Sequence, residues 1–113
     1  MDYQTAHNLL ISQGIDADQQ ADSLLHCLRQ GIPPVPGQVT TILLALKVVF
    51  EAVRDATQLD RDLAYALLLL STQSRQYFDQ GDQAGVEWPP LLDEDLNRIA
   101  AGVKGIFAGE WYE

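Results

Sequence analysis

Residues 39–78 carry two long apolar segments, VTTILLALKVVFEAV and LAYALLLLSTQSRQYF, which together hold more hydrophobic surface than one helix stripe can hide. A helix lining a single core buries a stripe that repeats every three or four residues. Here Leu44, Ala45, Val48 and Ala52 form a second face beside Val39, Ile42, Leu43, Leu46, Val49, Phe50 and Val53. Both faces need cover. This predicts a central antiparallel helical hairpin, packed on one side by the remaining helices and on the other by a partner.

The flanking segments supply those helices. Asp2 can cap a helix over about 3–13 with the face Tyr3, Ala6, Leu9 and Leu10, and Gly14 is placed for a left-handed stop. Asp16 followed by Gln19 resembles a capping box, after which Ala17, Ala21, Leu24, Leu25 and Leu28 recur at helical spacing until Gly31. IPPVPG, residues 32–37, withholds three backbone donors and disfavours helix before each proline, so it is read as an extended connector. A third helix is expected over 38–56. The link 57–59 is short enough to make its successor an antiparallel neighbour. That fourth helix starts after a cap at Asp60 and stops at Gly81.

Residues 81–90 read as the longest loop, broken by Gly85, Pro89 and Pro90. A fifth helix starts near Asp93 with the face Leu92, Leu96, Ile99, Ala100, Val103, Ile106 and Phe107. Ala101, Gly105 and Gly109 fall four apart on it, a ridge of small residues that would let another helix approach closely. No period-two pattern and no repeat is visible. The reading is an all-α, single-domain bundle of about five helices, with residues 110–113 as a C-terminal tail.

Sixteen acidic against seven basic residues give a net charge of −9, which repels phosphate and anionic lipid surfaces and so argues against nucleic acid and membrane as partners. Lys47, Glu51, Arg54 and Asp55 interrupt the first apolar segment, and the polar run from Ser71 to Gln76 ends the second, before a spanning length is reached. The first ten residues lack a basic n-region and a small-residue cleavage site, and Cys27 is the single cysteine, so a reducing cytoplasm is expected.

Chemistry-bearing patterns are sparse. His7 and His26 stand on different expected helices without metal-ligand spacing, and Cys27 flanks the Leu24/Leu28 stripe as a buried thiol. No phosphate loop, dinucleotide fingerprint or nucleophile elbow occurs, so no catalytic, cofactor-binding or metal residues are assigned and no cofactor is expected. Asp93, Glu94 and Asp95 sit where acids favour a helix N-terminus. Pro33 and Pro36 have PxxP spacing, read as a stiff linker or a recognition segment. Trp88, on a loop stiffened by Pro89 and Pro90, is either a lid on the core or an interface anchor. Trp111 and Tyr112 suggest a tail that folds back on the bundle or onto a neighbour. Tyr65, Leu68, Leu69 and Thr72 form the fourth-helix face expected to make contact.

PPVPGQVTTILLALKVVFEAV (33–53), LLLLSTQSRQ (67–76) and GVEWPPLLDEDL (85–96) resemble a family of short helical cyanobacterial proteins, some of which carry the label dethiobiotin synthetase. The label implies ATP-dependent ring closure on a biotin precursor in a parallel-sheet fold with a P-loop. This chain departs from that pattern in having neither a glycine-rich phosphate loop nor strand-like segments.

Three functions compete. The first is a non-enzymatic interaction module, an adaptor or assembly factor that acts as a homodimer or with another protein. The second is a small-ligand sensor with a cavity between the third, fourth and fifth helices, closed by the Trp88 loop and supplied with polar groups by Tyr65, Thr72 and Tyr77. The third is the enzyme that the family label implies.

Overall fold

Asp2, Ser23 and Asp60 each set a side-chain oxygen against a backbone N–H at the start of a helix, and these caps fix three of the five helical starts. The computed structural model describes residues 1–111. It consists of α1 (Tyr3–Gln13), a 3-10 turn (Ala17–Gln19), α2 (Leu24–Arg29), α3 (Gln38–Val53), α4 (Arg61–Gln83) and α5 (Leu92–Ala108). Among the described residues there is no strand, and one continuous apolar core joins the helices into an all-α bundle. The parallel sheet that the synthetase label implies is therefore not part of this fold.

The cap at Asp60 does more than start α4. Its carboxylate accepts from the Leu63 amide at 3.1 Å and meets His7 Nε2 at 3.0 Å, which ties the beginning of α4 to α1. The His7 contact first, and the Leu63 amide second, hold the Asp60 carboxyl below the usual carboxylate range. α1 and α4 run parallel from this point, and Gly14 at the end of α1 lies directly against Ala66.

The other pairings follow from similar contacts. Gln38 Nε2 donates to Gln13 Oε1 at 3.3 Å, so α3 begins where α1 ends and the two are antiparallel. Gly109 lies against the Arg54 carbonyl, and Val39 and Leu92 share a cleft at the opposite pole, so α3 and α5 are parallel. Arg75 reaches from α4 to the first turns of α5, bonding Asp93 Oδ1 at 2.6 Å and Asn97 Oδ1 at 2.8 Å. α4 and α5 are antiparallel. α2 lies on the flank of α4.

This arrangement corrects the expected packing of the central hairpin. α3 and α4 are antiparallel, but they stand at opposite corners, with α1 and α5 each packed against both. The reason is the length of the link. α3 ends at Val53 rather than Ala56, which leaves seven residues, 54–60, before α4. Seven residues can extend over about 23 Å, more than the roughly 14 Å diagonal of four helices spaced 10 Å apart.

Diagonal placement gives both apolar helices two neighbours each, which shelters most of their surplus surface. Ala45, Leu46, Val49, Leu63, Ala66, Leu67 and Leu70 are fully enclosed, and Val48 is half-buried. Leu44 on α3 and Tyr65 and Leu68 on α4 stay about half exposed, each at 51 %.

The expected second helix is also corrected. Asp16 makes no side-chain cap, the segment after it closes only a 3-10 turn, and α2 starts anew at Leu24. Ser23 is responsible. Wholly buried, it donates to the Ala17 carbonyl at 2.7 Å and accepts from the His26 amide, while Gln13 Oε1 takes the Leu24 amide at 2.8 Å. A hydroxyl that competes for backbone partners in this way ends one helical turn and begins the next. Ser23→Ala is expected to cost about 1–2 kcal/mol, because it removes a cap together with the buried bond to the Ala17 carbonyl. A shift in the urea midpoint checks this, and an unchanged midpoint refutes the role.

Two glycines differ from their expected roles. Gly14 has φ −100°, not a left-handed conformation. Gly81 lies inside α4, which runs on to Gln83. α5 starts at Leu92, and Gly109, with φ 73°, supplies the left-handed residue that ends it. Of the expected ridge, Gly105 receives the chain's own next turn, where a Cβ would come within 2.8 Å of the Glu110 carbonyl, and Gly109 meets the Arg54 carbonyl at the end of α3; Gly102, beside the ridge, lies against Leu46 of α3 and the Trp111 ring.

Candidate interaction surface

α4 presents its inner side through Leu63, Ala66, Leu67, Leu70 and Ser74, so helical geometry turns Tyr65, Leu68 and Thr72 outward. Tyr65 and Leu68 are half exposed, Thr72 is exposed, and Leu69 is half-buried at the edge of this strip. The strip is apolar in effect as well as in composition. Thr72 Oγ1 donates to the Leu68 carbonyl at 2.8 Å, and Ser71 Oγ donates to the same oxygen at 3.1 Å. Both hydroxyl protons are thereby spent on the helix's own backbone.

Charge is absent along it too. Residues 63–74 contain no Asp, Glu, Lys or Arg, in a chain whose net charge is −9. An exposed helix in an acidic protein normally carries charge on its outer face. Beside the strip, Tyr65, Leu69, Gln73 and Tyr77 wall one side of a cleft of about 210 Å³ against Ile15, Ala17 and Leu25.

Trp88 lies elsewhere. Its indole stacks on Phe78 with centroids 5.7 Å apart and planes 19° apart, and its N–H donates to the Phe78 carbonyl at 3.0 Å. The ring sits over Gly81, where any Cβ would overlap Cζ2. In this position Trp88 covers the end of α4 and is half-buried.

Trp111 is half-buried on the opposite corner. It tilts against Phe50 at 5.2 Å, with Lys47 Nζ 4.6 Å from its ring centre. The tail folds back on its own bundle as far as the described residues reach, and Tyr112 lies outside them. The structure thus unites Tyr65, Leu68, Leu69 and Thr72 on one face, and places Trp88 and Trp111 at two other sites.

No family model, curated protein or solved structure matches the chain. The chemistry of its surface has to be read from the residues themselves.

The two proline segments, read separately in the sequence, converge in space. Pro34, Val35, Pro36 and Val39 face Pro89, Leu91 and Leu92 across an open cleft of about 190 Å³. Val35 and Leu91 are the large apolar side chains exposed there, at 44 % and 63 %. The sequence held no sign of this meeting, because it depends on α3 and α5 being parallel neighbours. Arg75 was likewise invisible as a link: its bridge to Asp93 and Asn97 needs α4 and α5 side by side, and it turns part of the acidic cluster into an inter-helix contact.

Groups capable of catalysis are scattered. Cys27 is buried and its thiol is pushed up, first by loss of solvation and then by Asp22. His7 is engaged with Asp60, and His26 stands on α2. Among the described residues no three His, Cys, Asp or Glu side chains gather as a metal set, and no helix is long and apolar enough to cross a membrane.

Proposed function

We propose that this chain is a non-enzymatic protein-interaction module that docks through the outer face of α4. The carrying observation is the uncharged, half-exposed strip of Tyr65, Leu68 and Thr72 on the longest helix of a strongly acidic protein. A tyrosine beside an aliphatic anchor, with hydroxyl donors already satisfied, suits desolvation against another apolar face. The surrounding acidity keeps the chain soluble while leaving the strip itself uncharged. A cytoplasmic setting fits the lone reduced cysteine.

The ligand-sensor reading lacks its polar groups. Thr72 faces solvent, Tyr65 and Tyr77 line a cleft on the α2 side rather than the interior between α3, α4 and α5, and Leu67, Leu70, Leu46 and Ile99 fill that interior. The synthetase reading lacks a phosphate cradle.

Leu68→Glu tests the proposal, since it puts a charge at the centre of the strip while leaving the core alone. Stability should stay within about 0.5 kcal/mol. Retention of a partner, whether another protein or a further copy, on the immobilised chain should weaken about 30-fold, the size expected of an interface anchor worth about 2 kcal/mol. If wild type and variant retain the same species equally from an extract of the source cell, α4 is not the docking face.

A further inference from the structure

We propose that the occupant of the α4 face is a second copy of this chain, lying antiparallel across a two-fold axis. The inference rests on the docking reading above and adds the partner's identity. Its basis is charge complementarity along one line of the helix. Arg61 and Asp79 are eighteen residues apart, about five turns, so both lie on the outward side in line with Leu68 and Thr72. Arg61 is exposed and has no ion-pair partner among the described residues. Asp79 is exposed and has only a 4.0 Å approach from Arg75, whose closer bond goes to Asp93.

A strip with a cation at one end, an anion at the other and between them only Arg75, which is turned to Asp93 and Asn97 of α5, is complementary to itself when reversed. Turning a second helix end for end sets Arg61 opposite the partner's Asp79, twice, and Leu68 opposite the partner's Thr72. Closed two-fold symmetry requires this matching of each residue with its counterpart. A shallow crossing near 20° keeps both ends within side-chain reach over the length of the strip. A basic partner is the alternative occupant that the overall charge of −9 would attract, but the strip itself carries none of that charge. One helix face is a small interface, so the association is expected to be weak, with a dissociation constant in the micromolar range or above.

The test is a charge exchange read by sedimentation equilibrium of the full chain up to millimolar concentration. Arg61→Asp sets acid against acid at both ends, and Asp79→Arg sets base against base. Each should raise the dimer dissociation constant about tenfold. The double variant restores opposite signs and should return to within about threefold of wild type. Neither change threatens folding, because acids in the first turn and bases toward the end of a helix favour its dipole, and thermal melting of each variant verifies this. A monomer mass throughout, or a double variant no tighter than the singles, overturns the two-copy inference. If the chain stays monomeric while Leu68-dependent retention of another protein persists, only this inference falls; if that retention is also missing, the docking reading falls with it.

Discussion

Gly81→Ala should destabilise the protein by about 2–3 kcal/mol, the opposite of what a glycine-to-alanine change does in an ordinary helix. Alanine is favoured over glycine inside a helix by about 1 kcal/mol. At this position a Cβ would overlap the Trp88 ring, which lies flat over Gly81 and is pinned by its bond to the Phe78 carbonyl. The indole must leave, losing its stack on Phe78 and exposing the surface it covers. Two measurements check this. The Trp88 indole proton should exchange slowly in wild type and fast in the variant. In a Trp88→Leu background the same Gly81→Ala change should become neutral or stabilising, because the smaller side chain leaves the overlapped ring position. A loss of equal size in both backgrounds would show that Trp88 is not the reason for the glycine.

The same residue shows where sequence reasoning stops. The helical class, the number of helices, the caps at Asp2 and Asp60 and most of the core faces were legible, because each depends on local spacing and local hydrogen bonds. Gly14 and Gly81 were legible as glycines but not in their purpose. Both were read as helix stops, which holds for Gly14 and not for Gly81, and both are in addition contact points, one for Ala66 and one for Trp88. Gly105 was read correctly as a site of close approach, yet the approaching group is the turn at Glu110 and Trp111 rather than a helix. In each case the missing information is a partner distant in sequence or folded back around a turn. Ser23 failed differently. Its neighbours have sound helical periodicity, and only its burial beside the Ala17 carbonyl lets the hydroxyl break the helix.

The candidate surface divides along the same line. That residues 63–74 lack charge is plain from the sequence, and so is their helical phase. Which side of that helix remains uncovered is a matter of packing. Placing α3 and α4 at opposite corners gave α4 two large neighbours and a short third, α2, and left Leu68 and Thr72 on the side away from all of them, with Tyr65 at its edge beside the α2 cleft. Had the two helices packed side by side, a different face would have been left open. The expectation of a surplus was sound in kind but too large in extent, since one copy encloses Ala45 and half-buries Val48.

Gly14→Val should cost about 2–3 kcal/mol and bear directly on that diagonal arrangement. The backbone at Gly14 has a negative φ, so a left-handed conformation is not the source of the cost. It arises because a Cβ would meet Ala66 at its carbonyl oxygen, Cα and Cβ at 3.0, 3.1 and 3.2 Å. Two of those three atoms are backbone and cannot rotate away, so α1 and α4 must separate to admit a branched side chain. Gly14→Ala should cost less, and its cost should shrink further in an Ala66→Gly background, where the Cβ contact is gone but the carbonyl contact remains. That coupling, measured as a double-mutant cycle from urea midpoints, reports on adjacency of α1 and α4 alone. Additive costs, or a harmless valine, would place the two helices apart. α4 would then lose a neighbour, and the outward direction assigned to Tyr65 and Leu68 would have to be drawn again.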